Sequence, residues 1–367
     1  MKIIIFSNSY WNITNLRREL INSLIRDSHK LVLIYDKKKD NDLFDIDCAH
    51  YNINLPNKLF SFTKTFGLLI KLYRILKNER PDIVINFTIQ PIILSSLVSI
   101  FLNFRFMNVF TGLGSIFIKN NYQTKIIMLV YKFISVFCTF TVFQNKKDQS
   151  FFLSHKLVKK NFHVIYGSGV NTKKFNKMPL NKNIDFFTFI FVGRIIKDKG
   201  ILDYIDSANL VTKKNDKIKF MIVGDFDYDN PTSISKQHFL SKIESNKNIQ
   251  FIGYKSNIKE FIGKAHCVVL PSYREGLPMS LLEASAIGRP IIATNVPGCN
   301  DVVIDNKSGY LVNVRDKIDL SNKMLKIAAL SYSHLNQMAE FNRLRAEKLF
   351  SIDKINLCYK DLIYENI

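Results

Sequence analysis

The chain has 367 residues, enough for two ordinary domains, and its 47% hydrophobic and 23% charged composition is that of a globular protein. Only 14 Gly and 9 Pro exclude collagen-like and low-complexity scaffolds. Five scattered cysteines with no CxxC pair argue against a disulfide framework or structural zinc, and for a reducing compartment. Short apolar runs alternate with longer amphipathic segments. Lys2–Phe6 reads as a strand, and Asn15–Asp27 as a helix carrying Leu16, Leu20, Ile21 and Leu24 at helical spacing. Then follow a strand at Leu31–Tyr35, a helix at Thr65–Asn78, and strands at Ile83–Asn86 and Met107–Phe110. After the polar stretch Asn171–Asp185 the same grammar restarts. Strands are expected at Phe186–Val192, Phe220–Val223, Ile249–Phe251, Cys267–Leu270 and Ile291–Ala293. Helices are expected at Ile201–Thr212, Pro278–Ile287, Leu320–Leu330 and Ile352–Glu365. Such alternation predicts α/β units with parallel sheets.

Two apolar stretches need weighing as membrane spans. Ile92–Leu102 is too short to cross a bilayer. Ile126–Phe143 contains Lys132, Ser135, Thr139 and Thr141, and reads as a buried helix running into a strand. The apolar run at the start, Ile3–Phe6, is far too short for a signal-peptide core. The expectation is a soluble or peripheral protein.

Charge is distributed unevenly. Residues 1–180 hold 26 Lys and Arg against 10 Asp and Glu, whereas residues 181–367 hold 26 against 21. The first half therefore faces something anionic: nucleic acid, a phosphorylated ligand or an acidic membrane surface. No RNP, KH, zinc-finger or helix-turn-helix pattern accompanies the charge, which argues against nucleic acid.

Ligands of open α/β sheets bind beyond the carboxyl ends of the strands. After Phe186–Val192 comes Gly193-Arg194, then Lys199-Gly200; the two cations, five apart, can converge on one phosphate. After Cys267–Leu270 comes a loop holding Glu275, Gly276, Leu277 and Pro278. Pro278 suits the first helical position, and the amides at the helix start form an anion site. Glu283, two turns into an otherwise apolar helix, is costly to bury without a partner, and a sugar hydroxyl is a suitable one. Of the Asp-x-Asp triplets, Asp45/Asp47, Asp225/Asp227 and Asp227/Asp229, none has further metal-ligand spacing, and His266 reads as a packed core histidine.

Together, Gly193-Arg194…Lys199-Gly200 and Glu275-x7-Glu283 resemble the signature of the retaining GT-B glycosyltransferases of family four. Ser168-Gly169-Val170-Asn171 resembles their interdomain loop; Pro297-Gly298 and Ser308–Val312 resemble later segments. Thr111-Gly112-Leu113-Gly114-Ser115 and Asp229–Ser233 are most similar to a subgroup acting on polyprenyl-diphosphate-linked saccharides of O-antigen, capsule or protein glycans. The resemblance implies two Rossmann-like domains facing each other across a cleft. The N-terminal, acceptor-binding domain would span 1–170 with helix 352–367 crossing back, and the nucleotide-sugar domain 171–351.

It also implies roles. Arg194 and Lys199 would stabilise the departing nucleoside diphosphate, and Glu275 would contact the donor sugar. Glu283 would hold the ribose hydroxyls, with Gly193, Gly276, Leu277, Pro278, Tyr254, Ser168 and Gly169 completing the donor side. Thr111, Gly112, Leu113, Gly114, Asn8, Ser9, Arg17 and Gln90 would form the acceptor and phosphate loops. The implied reaction is metal-independent transfer of a hexose or N-acetylhexosamine from a UDP-sugar to a lipid-diphosphate saccharide. Its place would be the inner face of the cytoplasmic membrane. Two departures stand out: Ser7-Asn8-Ser9-Tyr10 where many relatives carry a glycine pair, and no histidine near Thr111. A front-face mechanism, in which the leaving phosphate accepts the acceptor's proton, needs no such base. An epimerase or hydrolase on the same fold is the alternative, and it would need a second well-placed carboxylate.

Overall fold

The computed structural model describes residues 1–36, 46–56, 62–113, 122–158, 161–182 and 185–365; the side chains of 62–64, 122 and 123 are also outside the description. Two compact units emerge, Met1–Ser168 with Ile355–Ile367, and Gly169–Lys354. The divisions fall at 168/169 and 354/355, beside the expected 170/171 and 351/352.

The first unit is a seven-stranded parallel sheet. Its strands are β1 (Lys2–Ser7), β2 (Lys30–Tyr35), β3 (Ala49–Asn52), β4 (Ile83–Phe87), β5 (Arg105–Phe110), β6 (Phe140–Phe143) and β7 (Phe162–Val164), in the spatial order β3-β2-β1-β4-β5-β6-β7. The central strands are apolar on both faces because helices cover both. Ile3 and Ile5 pack with Leu20, Ile21 and Leu24 on one side, while Ile4 and Phe6 pack with Leu72, Leu76 and Leu94 on the other. Helix Ile352–Tyr364 buries Ile355, Tyr359, Leu362 and Ile363 against the first face.

The second unit is a six-stranded parallel sheet of β8 (Phe187–Val192), β9 (Ile218–Val223), β10 (Ile249–Gly253), β11 (Cys267–Leu270), β12 (Ile291–Thr294) and β13 (Gly309–Val312), ordered β10-β9-β8-β11-β12-β13. Strand order reverses between β1 and β4 in one unit and between β8 and β11 in the other. Those reversals open a crevice beyond the carboxyl ends of the paired strands.

The structure adds elements that periodicity does not announce. β3 is a mostly exposed edge strand of sequence Ala-His-Tyr-Asn, with no apolar run to mark it. Helix Tyr332–Arg345 looks polar, yet it buries Leu335, Met338, Ala339 and Asn342 at helical spacing. The Asn342 amide donates to the carbonyls of Arg289 and Ser308, each at 2.8 Å, so this buried polar residue ties three segments together. The first helix begins earlier than expected: a wide turn at Asn12–Arg17 precedes the α-helix Arg18–Arg26. The stretch 126–143 is helix Tyr122–Ile134 followed by β6, as expected. Among the described residues no helix is long and apolar enough to cross a membrane.

Candidate active site

In the second unit, three loops beyond the carboxyl ends of β8, β11 and β12 are locked together by backbone contacts. After β8, residues Lys197–Lys199 form a single tight turn that Gly200 closes with φ of +69°. A Cβ on Gly200 would lie 1.9 Å from the carbonyl oxygen of Pro271, so only glycine permits this approach of the two loops. The Tyr273 amide adds a 2.9 Å bond to the Asp198 carbonyl. On the other side Gly298, at φ of +80°, packs under the β11 loop; a Cβ there would meet the Gly276 oxygen at 2.3 Å. Gly200→Ala is expected to cost about 3 kcal/mol or more, because a backbone clash in a left-handed conformation has no rotamer that relieves it. A melting midpoint within a degree of wild type would contradict this.

This stitching brings Lys199 and Glu275 together. Lys199 Nζ lies 2.5 Å from Glu275 Oε1, with the side chains 21% and 10% exposed. Behind them the Cys299 thiol is buried, and burial together with the Glu275 charge pushes its pKa well up, keeping it neutral. Arg194 is more open and pairs with Asp227, Nη1 to Oδ2 at 2.6 Å. The two cations expected to converge on one phosphate are thus held by separate carboxylates. Asp227, weighed from sequence only as part of an Asp-x-Asp pair, is the ion-pair partner of Arg194. Asp225 Oδ1 accepts from the Phe226 amide.

Helix Met279–Ile287 begins one residue later than expected. Pro278 has an extended ψ of 124° and is the cap rather than the first helical residue. Its carbonyl accepts from Leu281 and Leu282 at 3.1 and 3.3 Å, and no side chain caps the turn. The helix start therefore presents amide donors toward the loop of Gly276 and Leu277. Glu283 is the fifth helical residue, one turn in rather than two. Its neighbours Leu281, Leu282, Ala284 and Ala286 are fully buried, while Glu283 itself stays partly exposed. Burial raises its carboxyl to about 7, against a smaller opposing effect of the Lys174 charge. Among the described residues no hydrogen bond or ion pair reaches Glu283, so the carboxyl is available to a ligand.

The remaining expected residues fall as follows. Tyr254 is 70% exposed directly after Gly253, which has φ of +76°. Gly193 leaves ordinary room for a Cβ beside Phe191; the close approach there is made by Gly224, whose Cβ would meet the Gly193 oxygen at 1.8 Å. Ser168 is buried at the end of the first unit, and Gly169, at φ of +76°, opens the second. In the first unit Thr111 and Gly112 follow β5 with Leu113 buried; Gly114 and Ser115 lie outside the described residues. Asn8 is exposed, and Ser9 Oγ accepts from the Asn12 amide at 3.2 Å. Gln90 donates its side-chain amide to the Pro56 carbonyl at 2.6 Å, which makes it a brace for that loop. Arg17 is fully buried. His266 is buried, stacked on Phe187, and its Nδ1 accepts from the Thr188 amide. One network had no sequence signal: Arg315 lies 4.6 Å over the Tyr273 ring, and burial followed by Asp203 raises the Tyr273 phenol to about 12. It braces the loop that carries Glu275.

Two parallel sheets, with polar clusters at the carboxyl ends of their strands, define a two-unit α/β protein of the GT-B kind. The model of the glycosyl transferases group 1 matches residues 157–345, and the chain belongs to that family: it is a glycosyltransferase. It is 27% identical over 359 residues to the capsular polysaccharide biosynthesis glycosyltransferase CapM of Staphylococcus aureus, covering 92% of this chain and 90% of that protein. It is also 27% identical to the UDP-Gal:alpha-D-GlcNAc-diphosphoundecaprenol alpha-1,3-galactosyltransferase of Escherichia coli, covering 83% of this chain and 81% of that one. Among solved structures, sucrose-phosphate synthase from Thermosynechococcus elongatus shares the fold at a TM-score of 0.82 and 18% identity, over 100% of this chain and 99% of that one. Anabaena Alr3699/HepE, solved in complex with UDP, does so at 0.80 and 16%, over 100% of both chains.

Proposed function

We propose that the protein is a retaining glycosyltransferase that moves a hexose or N-acetylhexosamine from a UDP-sugar to a lipid-diphosphate-linked saccharide. The observation that carries this reading is the Lys199–Glu275 pair beside an uncapped helix start, one turn from the open carboxyl of Glu283. In this reading the donor diphosphate displaces Glu275 from Lys199 and meets the amides of the helix start, while Glu275 turns to the sugar. Glu283 accepts from the ribose hydroxyls. The acceptor oxygen bonds to the anomeric carbon on the face that the phosphate leaves; the nucleoside diphosphate departs with the bond's electron pair and takes the acceptor's proton. Arg194 and Lys199 stabilise the charge developing on it. The named substrates of the E. coli relative, a UDP-sugar and a diphosphoundecaprenol-linked sugar, support the choice of donor and acceptor. Metal-independence is part of the proposal, supported by the engagement of Asp227 with Arg194. Incubation with a panel of labelled UDP-sugars and a polyprenyl-diphosphate saccharide, with the anomer of the product read by NMR, tests it. An inverted anomer, or release of free sugar or epimer without acceptor, would refute it.

We further propose that the first unit docks on an anionic membrane. Its helices Phe62–Glu79, Ile89–Val98 and Tyr122–Ile134 pack side by side and leave Phe66, Ile70, Phe101, Leu129 and Phe133 exposed. Lys71, Arg74, Lys77, Lys125 and Lys132 are exposed among them. Nearby in sequence, Lys58, Phe60 and Lys119 lie outside the described residues, as do the side chains of Phe62 and Lys64; Phe104 and Arg105 are partly buried. Each basic residue near such a surface contributes about 1 kcal/mol. Vesicles rich in phosphatidylglycerol should therefore sediment the protein, and Lys125→Glu with Lys132→Glu should weaken that binding at least tenfold. Equal binding to neutral vesicles would contradict the electrostatic part.

A further inference from the structure

The chain between β9 and helix Lys236–Ile243 makes an excursion whose shape owes little to burial. Asp225, Tyr228, Asp229 and Pro231 are exposed, and only Ile234 is fully buried. Phe226 alone among the half-buried residues meets the core, edge-on to Phe239 and Phe251. With so little apolar surface removed from water, polar bonds must set the conformation.

Those bonds centre on Asn230, in the segment Asp229–Ser233. Its side-chain oxygen accepts from both the amide and the hydroxyl of Thr232, each at 2.9 Å, which forms an Asx turn. Its backbone amide donates to the Asp227 carbonyl at 3.2 Å, and its carbonyl accepts from the Ser233 amide at 3.0 Å. These bonds all close a single turn.

The turn grips the loop that follows β8. The Thr232 carbonyl accepts from the Lys197 amide at 2.9 Å, and Ser233 pairs antiparallel with Ile196. From the other arm of the excursion, the Asp225 carbonyl accepts from the Ile195 amide at 2.8 Å, and Phe226 pairs with Ile195. Lys197 opens the tight turn that ends at Lys199, so the Thr232 carbonyl anchors the backbone that aims Lys199. Asp227, whose carboxylate holds Arg194, belongs to the same excursion. The whole forms a clasp over the loop that carries both cations.

We propose that Asn230 is a positioning residue for the transfer and acts through Lys199. This rests on the part that the transferase reading gives to Lys199. Asn230 holds the Thr232 carbonyl on the Lys197 amide, and Lys199 thereby stays where charge develops on the departing diphosphate. Displacing a reacting group by about 1 Å can cost about 10²-fold in rate. Opening an exposed turn costs the fold as a whole far less.

Kinetics and hydrogen exchange on the full chain test this together. Asn230→Ala should lower kcat about tenfold or more, change the donor KM less than about threefold, and leave the melting midpoint near wild type. Without any ligand, its amides at residues 195–199 should exchange about tenfold faster or more. Asn230→Asp keeps an acceptor oxygen for Thr232 and should restore both readings. Once Lys199 is alanine, adding Asn230→Ala should cost little further turnover, because the residue through which it acts is gone. Full multiplication of the two losses, or wild-type turnover in Asn230→Ala, would overturn the positioning role. Wild-type exchange in Asn230→Ala would overturn the clasp itself. Exchange needs no substrate, so a wild type that transfers no sugar would refute the transferase reading and leave the clasp to be judged by exchange alone.

Discussion

Replacing Lys199 by alanine is expected to lower turnover by about 10²–10³, the usual cost of losing one preorganised donor to a developing anion. The affinity for the intact donor should fall much less, because the charge that Lys199 meets grows as the sugar–phosphate bond breaks. The 2.5 Å pair with Glu275 adds a second consequence. Without Lys199, the mostly buried Glu275 carboxylate is left unpaired beside the neutral Cys299 thiol, so the variant should also melt earlier. Lys199→Ala with Glu275→Gln should recover the melting midpoint and not the turnover. Steady-state rates and melting curves on the three variants separate the two effects. Wild-type turnover in Lys199→Ala would remove this residue from the reaction.

The second large effect lies at Glu283. Its carboxyl is raised to about 7 by burial, from an ordinary value of 4.5. Between those pH values the native state keeps a proton that the unfolded chain has lost. The ligand-free protein is therefore destabilised by this group as pH rises from about 4.5 through about 7, with no further change above. The full effect would be about 3 kcal/mol, and partial exposure of the side chain reduces it. Glu283→Gln removes the penalty, so at pH 8 the variant should be the more stable of the two without ligand. The same substitution removes the charged acceptor proposed for the ribose hydroxyls, and UDP affinity should drop by about 10- to 100-fold. Wild-type UDP binding should strengthen from pH 6 to pH 8 relative to the variant, in which the ionisation of UDP itself is matched. Identical pH profiles for the two proteins would show that the carboxyl does not meet the nucleotide.

These expectations rest on residues whose type and spacing were visible before the fold. The strand–helix alternation marked both sheets because their central strands are apolar on both faces. Glu283 was visible because an acid stood alone on an apolar helix. What the sequence concealed was what depends on tertiary contact. β3 carries no apolar run, and helix Tyr332–Arg345 hides its buried stripe behind polar letters. The position of Pro278 turned on a single ψ angle, which a residue type does not specify. The pairing of Arg194 with Asp227 joins residues 33 apart, brought together because β8 and β9 are neighbours. Gln90 was expected at the acceptor and is spent on the Pro56 carbonyl. Arg17 is named by the resemblance as part of the acceptor and phosphate loops; its burial beside Phe87 and Tyr359 appears only in the fold.

The proposed transfer depends on a nucleoside diphosphate bound by the Lys199, Glu275 and Glu283 cluster. The most direct test is a thermal-shift screen of the full chain against UDP, GDP, ADP, TDP and CDP, with and without EDTA. At 100 times its dissociation constant a ligand adds about 2.7 kcal/mol of stability, a readily visible shift. A shift selective for UDP, unchanged by EDTA and strongly reduced in Glu283→Ala, is the predicted result. No shift with any of the five nucleotides would contradict it.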